Sequence, residues 1–345
     1  MIKRILFLSW VFTIQAWNAS DCKEEDHEQW FCDYVEKHNR EYRIKDIQTR
    51  KKMLMRKLSS ENGVHFGHTS RSYRFPHELK RNSHLKSTRH LTVHREKDNK
   101  HVHLAAPRHL PTIDWRSVDG RTYVTSVKDQ GDCGGCFSFA SATVLEYWSK
   151  KEGYPKSLSS QNLMDCTSGR TRPDDACDGG LMEYVFEYAI KHPVPLEVEF
   201  PYEERADLCP KGKLWSHVKV GDYKVLMHSE NRNAENELEW LLHAYGPVAV
   251  GIDSSNMDDY TSGIFKASMC TTDIDHAVTI VGYTKDAWII KNSWGPLWGQ
   301  DGYLYLERGK NACGVAEYIV YVTDAQPALE RLDTYWYKLE LIKPT

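Results

Sequence analysis

The 345 residues carry 41% hydrophobic and 27% charged side chains, an ordinary globular balance with enough length for two or three compact units. A net charge of −3 gives no sign of a strongly basic nucleic-acid binder, and nothing after the first residues is apolar for the ~18 positions a membrane span needs. The near-neutral sum hides a division. Residues 20–109 carry 20 Lys/Arg against 13 Asp/Glu and hold 11 of the 16 histidines, whereas residues 110–345 carry 23 against 35. A basic, histidine-rich first part and an acidic second part read as two units with different jobs.

Residues 1–19 have the pattern of a secretory signal: Lys3 and Arg4, an apolar stretch over 5–14, then Ala16 or Ala19 as the cleavage point. That places the chain in a secreted or lysosomal/endosomal setting, where disulfides persist. Residues 26–58 have helical composition, with Trp30, Phe31, Tyr34, Val35 and Tyr42 as apolar positions. Residues 77–109 are rich in Lys, Arg, His, Asn and Ser and have too few large apolar side chains to order themselves. They read as an exposed linker and processing region, the alternative being a basic surface for a partner. From Cys136 to Lys151 the apolar spacing is helical and Gly153 stands where a helix would stop. Residues 159–165 and 180–190 read as further helices. After these the pattern changes to short β-rich runs at 248–250, 277–283, 287–290 and 303–306. A helical lobe followed by a β lobe implies a site in the cleft between them. Residues 324–345 form a C-terminal extension. Pro327 opens a short helical pattern there that either packs on the back of the chain's own folded part or docks a partner.

Three residues stand in settings that suit thiol hydrolysis. Cys136 lies in Gln130-Gly131-Asp132-Cys133-Gly134-Gly135-Cys136-Phe137, at the start of the first predicted helix. His276 follows Asp275 and opens a β run, and Asn292 begins Asn292-Ser293-Trp294-Gly295. A thiol attacks carbonyls only as thiolate, and a free one with pKa near ~8.5 needs help. A helix N-terminus favours the negative charge, and a nearby imidazolium would pair with it and later protonate the leaving amine. An uncharged amide at 292 can fix the imidazole's orientation. The Gln130 side chain, with the Cys136 N–H, can stabilise an oxyanion. Cys133 and Cys136 also have the spacing of a redox dithiol, but a Gln-Gly turn precedes them instead of a strand, and that reading leaves His276 and Asn292 without a role. Nine cysteines are an odd number, which leaves one thiol free.

Residues from about 110 to 322 resemble the papain-like cysteine peptidases, within them the cathepsin L-like branch. The segments that carry this are Asp114-Trp115-Arg116, Val127-Lys128-Asp129-Gln130-Gly131, the Cys136 motif, Cys177-Asp178-Gly179-Gly180-Leu181-Met182, Asn292-Ser293-Trp294-Gly295, Gly302-Tyr303 and Asn311-Ala312-Cys313-Gly314. The family motif is departed from twice: Gly135 stands for Ser/Ala and Phe137 for Trp/Tyr. The resemblance implies an α+β, papain-like two-lobed fold, with a helical lobe and a β-barrel-like lobe, behind a mainly helical prodomain. The domains would be a propeptide over 20–109, a catalytic domain over 110–323 and the extension. Cys136 would be the nucleophile, His276 its acid/base partner, Asn292 the orienting residue and Gln130 the oxyanion donor. Cys133 would pair with Cys177, Cys166 with Cys209 and Cys270 with Cys313. A Cys22–Cys32 pair would then leave Cys136 as the free thiol. Gly180 would pair with an extended substrate backbone, and Asp275 and Trp294 would flank the scissile bond. Leu181, Met182, Gly251, Ile274, Ala277 and Tyr318 would line the pocket for the side chain two residues before the cut, with Tyr318 either shortening it in favour of Val or Leu over Phe or pointing away and merely packing.

No metal or organic cofactor is implied. The partners implied are protein or peptide substrates, the chain's own propeptide as inhibitor and cystatin-type inhibitors. No nucleic acid and no membrane span are expected, and the chain is read as a monomer. The expected activity is that of a zymogen-derived endopeptidase working through a Cys136 thioester. The rival is a catalytically weak relative used as a binding or matrix protein, suggested by Gly135, Phe137, the poorly matching prodomain (Asp46, Arg50, Leu54 and Lys57 in the best register) and the tail.

Overall fold

The computed structural model describes residues 16–17, 29–37, 42–43, 63–67, 69, 71–72, 110–151, 153, 156–167, 173–209, 218–227 and 234–326. The linker over 77–109, the tail from Pro327, Cys22 and the 46–57 register lie outside them. Two compact units are formed, 1–57 and 58–345. In the first, helix α1 (Gln29–Lys37) buries Phe31, Tyr34 and Val35. It closes on Lys37, whose charge suits the negative end of the helix dipole. Tyr42 does not continue that helix. It belongs to strand β2 (Tyr42–Arg43), which pairs antiparallel with β1 (Ala16–Trp17); an aromatic residue suits a pleated strand at least as well as a helix.

In the second unit, helix α2 (Cys136–Lys151) is buried from Cys136 to Ser149, as expected of a helix with apolar or small residues on nearly every face. Gly153, at φ +89°, lies just beyond its end. Helices α3 (Ser160–Thr167) and α4 (Met182–Lys191) pack beside it, and Phe137, Val144, Leu145, Leu163, Met164, Val185 and Phe186 form their common core. The β lobe is a largely antiparallel sheet. Among the described residues it runs β5 (Lys219–Met227), β12 (Tyr318–Gln326), β6 (Val248–Ile252), β9 (His276–Tyr283), β10 (Ala287–Lys291), β11 (Tyr303–Glu307) and β8 (Ile264–Phe265), with β4 (Ile113–Asp114) added on β9. Its own core holds Val250, Val278, Ile280, Trp288, Ile290 and Trp298.

Strand β12 serves both cores. Ile319 and Tyr321 face the β-lobe cluster, while Tyr318, Val320 and Val322 face the helical one, which is the alternation a strand between two apolar layers requires. The lobes also meet through polar groups. The Thr279 hydroxyl donates to the Ala140 carbonyl at 2.9 Å, and the Gln130 N–H to the Ser293 carbonyl at 2.8 Å. Behind the junction, Glu146 on α2 is buried against Lys128 at 3.1 Å and Lys291 at 4.0 Å, and Lys128 also reaches Glu197 at 3.0 Å. Burial alone would raise the Glu146 pKa, but attraction to both lysines and hydrogen bonds from Thr125 and Leu158 bring it below its ordinary value.

Candidate active site

The first turn of α2 begins at Cys136, and β9 begins at His276. The Thr279–Ala140 bond aligns the two starts, so both side chains are set at the lobe junction, each fully buried. His276 Nε2 lies 2.8 Å from Asn292 Oδ1. An amide oxygen can only accept, so Nε2 carries the proton. The Ser293 N–H, also at 2.8 Å from Oδ1, fixes which way the Asn292 amide points. Nδ1 is buried with no hydrogen-bond partner among the described residues. The Trp294 ring stacks on the imidazole at 4.8 Å and 28°, shielding the His276–Asn292 bond from water.

Gln130 is buried and held at both ends. Its Nε2 donates to the Cys133 carbonyl at 2.9 Å and its Oε1 accepts from the Ser293 hydroxyl at 2.6 Å. Both bonds orient the amide beside the cysteine loop, with a second N–H on the same nitrogen. Cys133 is disulfide-bonded to Cys177, Cys166 to Cys209 and Cys270 to Cys313, and Cys136 is a free thiol.

Of the two motif departures, Gly135 has a physical reason, and nothing in the structure explains phenylalanine at 137. A Cβ on residue 135 would lie 3.0 Å from Met164 Sδ, and that sulfur also touches Cys133 Sγ at 3.4 Å. The methionine fills the space that a serine or alanine side chain would need. A Cβ on Gly180 would lie 2.6 Å from the Phe137 ring, so this backbone can approach the ring only as glycine.

Of the expected pocket residues, Gly251 pairs with Ala277 across β6 and β9, and Leu181, Met182, Ala277 and Tyr318 are all buried, with Ile274 half-buried beside them. Asp275 accepts from the Ser254 N–H at 2.8 Å, and burial raises its pKa to about 6.

One further residue near the site, Arg71, carries no local motif that would have marked it. Residues 65–67, 69 and 71–72 run along the β lobe, where β3 (His65–Phe66) pairs with β7 (Tyr260–Ser262). The Thr69 hydroxyl donates to the Asp258 carbonyl at 2.5 Å. Arg71 is buried, with Nε 2.6 Å from Asp258 Oδ1 and its guanidinium carbon 3.8 Å from the centre of the Trp294 ring. Arg71, Trp294 and His276 thus form a chain of ring-face contacts ending at the imidazole. Burial lowers the His276 pKa to about 3; the bond to Asn292 works against this and the Arg71 charge adds to it. In this state the imidazole is neutral.

Residues 110–323 match the model of the papain family cysteine proteases. The chain belongs to that family. Among curated relatives of this papain-family chain, Drosophila melanogaster cathepsin F is 39% identical over 221 residues, covering 59% of the chain and 34% of that relative. The Oryza sativa cysteine endopeptidase RepA is 38% identical, covering 60% of the chain and 55% of that relative. The chain therefore spans about a third to just over half the length of these two relatives. Among solved structures, digestive procathepsin L 3 of Tenebrio molitor larval midgut superposes with a TM-score of 0.70 at 27% identity, over 87% of this chain and 98% of that one. A Carica candamarcensis cysteine protease, solved in complex with E-64, is 34% identical with a TM-score of 0.54 over 62% of the chain and 99% of its own. The expected α+β, papain-like fold is the one observed, and the likeness to procathepsins extends beyond the protease domain into the preceding residues.

Proposed function

We propose that the protein is a secreted or lysosomal cysteine endopeptidase, made as a zymogen whose own propeptide holds it latent. The observation that carries this is the His276–Asn292 bond at 2.8 Å, which leaves Nδ1 for Cys136, together with Arg71 seated on Trp294. In the active state, His276 takes the thiol proton and the thiolate attacks the peptide carbonyl carbon. The oxyanion is held by the Cys136 N–H and the Gln130 amide. Collapse of this intermediate expels the amine, which takes the proton from His276, and leaves a thioester on Cys136. Water then attacks the thioester with His276 as base, releasing the acid and restoring the thiol. Asn292 keeps the ring in the productive tautomer, and Gly180 offers backbone hydrogen bonds to an extended substrate. The buried, mostly apolar lining from Leu181 to Tyr318 supports an apolar side chain two residues before the cut.

Acid-processed protein incubated with peptide substrates tests this reading. Mass spectrometry of quenched reactions is expected to find an acyl adduct on Cys136, and Cys136→Ser is expected to lose both adduct and turnover. Turnover that survives in Cys136→Ser would contradict the reading.

A further inference from the structure

Tyr318 opens β12 and faces the helical lobe, directly against the first turn of α4. Leu181, at the N-cap of that helix, supplies no side-chain hydrogen bond. The Tyr318 phenol reaches this turn, and its O–H donates to the Glu183 carboxylate. Both residues are buried, at 0% and 9% exposure, and the Tyr318 ring packs in the same buried cluster as Met182 and Ala277. A buried phenolic donor needs an acceptor, and Glu183 is the side chain that supplies one here.

We propose that Glu183 is a positioning residue for substrate selection: by holding the Tyr318 hydroxyl it keeps the ring across the pocket floor. The substrates favoured are then peptides with a short aliphatic side chain, Val rather than Phe, two residues before the cut. This rests on the peptidase reading given above. Glu183 has no part in the bond-breaking steps. Its influence is on which peptides seat well, and so on KM for the larger side chains more than on kcat. Without the carboxylate, the O–H is left buried with no acceptor. Rotamers that carry it toward water are then favoured, and these open the pocket.

The test is the ratio of kcat/KM for two peptides that differ only in Val or Phe at that position. The ratio does not depend on how much of each preparation is active. The unsubstituted enzyme is expected to favour Val by about tenfold or more, the scale on which an apolar pocket discriminates size. Glu183→Leu should bring the ratio to within about threefold, mainly through a lower KM for the Phe peptide, and Glu183→Gln, which keeps an acceptor, should stay near the parent value. Glu183→Ala replaces the leucine variant if that does not fold. In a Tyr318→Phe background, which has no hydroxyl to hold, Glu183→Leu should have little further effect. An unchanged ratio in Glu183→Leu, or its full effect persisting in the Tyr318→Phe background, overturns the inference and leaves the peptidase reading standing. Failure of an epoxide to label Cys136 in the parent enzyme overturns both.

Discussion

Burial and the Arg71 charge hold the His276 imidazole neutral, with its pKa lowered from 6.5 to about 3. The sign of the linkage follows. Between those two values the unfolded chain binds more protons at this site than the folded one, so this group's contribution to stability is fully present above 6.5 and is lost as pH falls toward 3. The loss is at most about 1.4 kcal/mol per pH unit. Taking away the guanidinium should move the imidazole part of the way back. In a Cys136→Ser precursor, Arg71→Ala is expected to raise the His276 pKa by about one unit, read from NMR titration of the ring. An unmoved titration would remove Arg71 from the account. A second residue-scale test concerns Gly135. Gly135→Ser should cost about 1–2 kcal/mol by crowding Met164, and a double-mutant cycle with Met164→Ala should give a coupling of about 1 kcal/mol. Additive denaturant midpoints would show that the methionine is not the reason glycine stands there.

At the scale of elements, much was legible because the signals were local. The spacing over 136–151 and the stop at Gly153 gave helix α2 directly, and the β runs gave β6, β9, β10 and β11 to within about two residues at either end. The motif around each candidate residue also placed Gln130, His276, Asn292 and Trp294 at one junction. What was not legible depends on partners distant in sequence. Nothing in 318–326 says that β12 lies between β5 and β6, and so faces two cores with alternate side chains. Arg71 looked like one more basic residue in a basic segment, because its meaning comes from Asp258 and Trp294, roughly two hundred positions away. Glu183 read as an ordinary first-turn acid of a helix, and only the fold brings Tyr318 to it. The Glu146 network likewise assembles from four segments. Glu146→Ala would leave Lys128 and Lys291 buried without their shared carboxylate and should cost about 3–5 kcal/mol in denaturant unfolding. A loss below about 1 kcal/mol would mean that water or Glu197 takes over the compensation.

For the whole molecule, the division of charge between residues 20–109 and 110–345 and the His276 linkage bear on when the enzyme would be released. Opposite charges would favour docking at neutral pH; protonating carboxylates on the catalytic part would weaken that attraction as the solution becomes acidic, while protonating the histidines of residues 20–109 would act the other way globally. The lowered His276 pKa adds a loss of folded-state stability in acid. Processing is therefore expected to be several-fold faster at about pH 4.5 than at pH 7, followed by electrophoresis of the purified precursor. Equal rates would sink the acid-release account while leaving the chemistry at Cys136 untouched.

That chemistry is tested most directly by treating the acid-processed protein with an epoxide that alkylates activated thiolates, beside a Cys136→Ser control. Stoichiometric labelling at Cys136 is expected across acidic pH, absent in the control. An unlabelled Cys136 in protein whose fold and three disulfides are intact would contradict it, and the cleft would then be a binding site without a nucleophile.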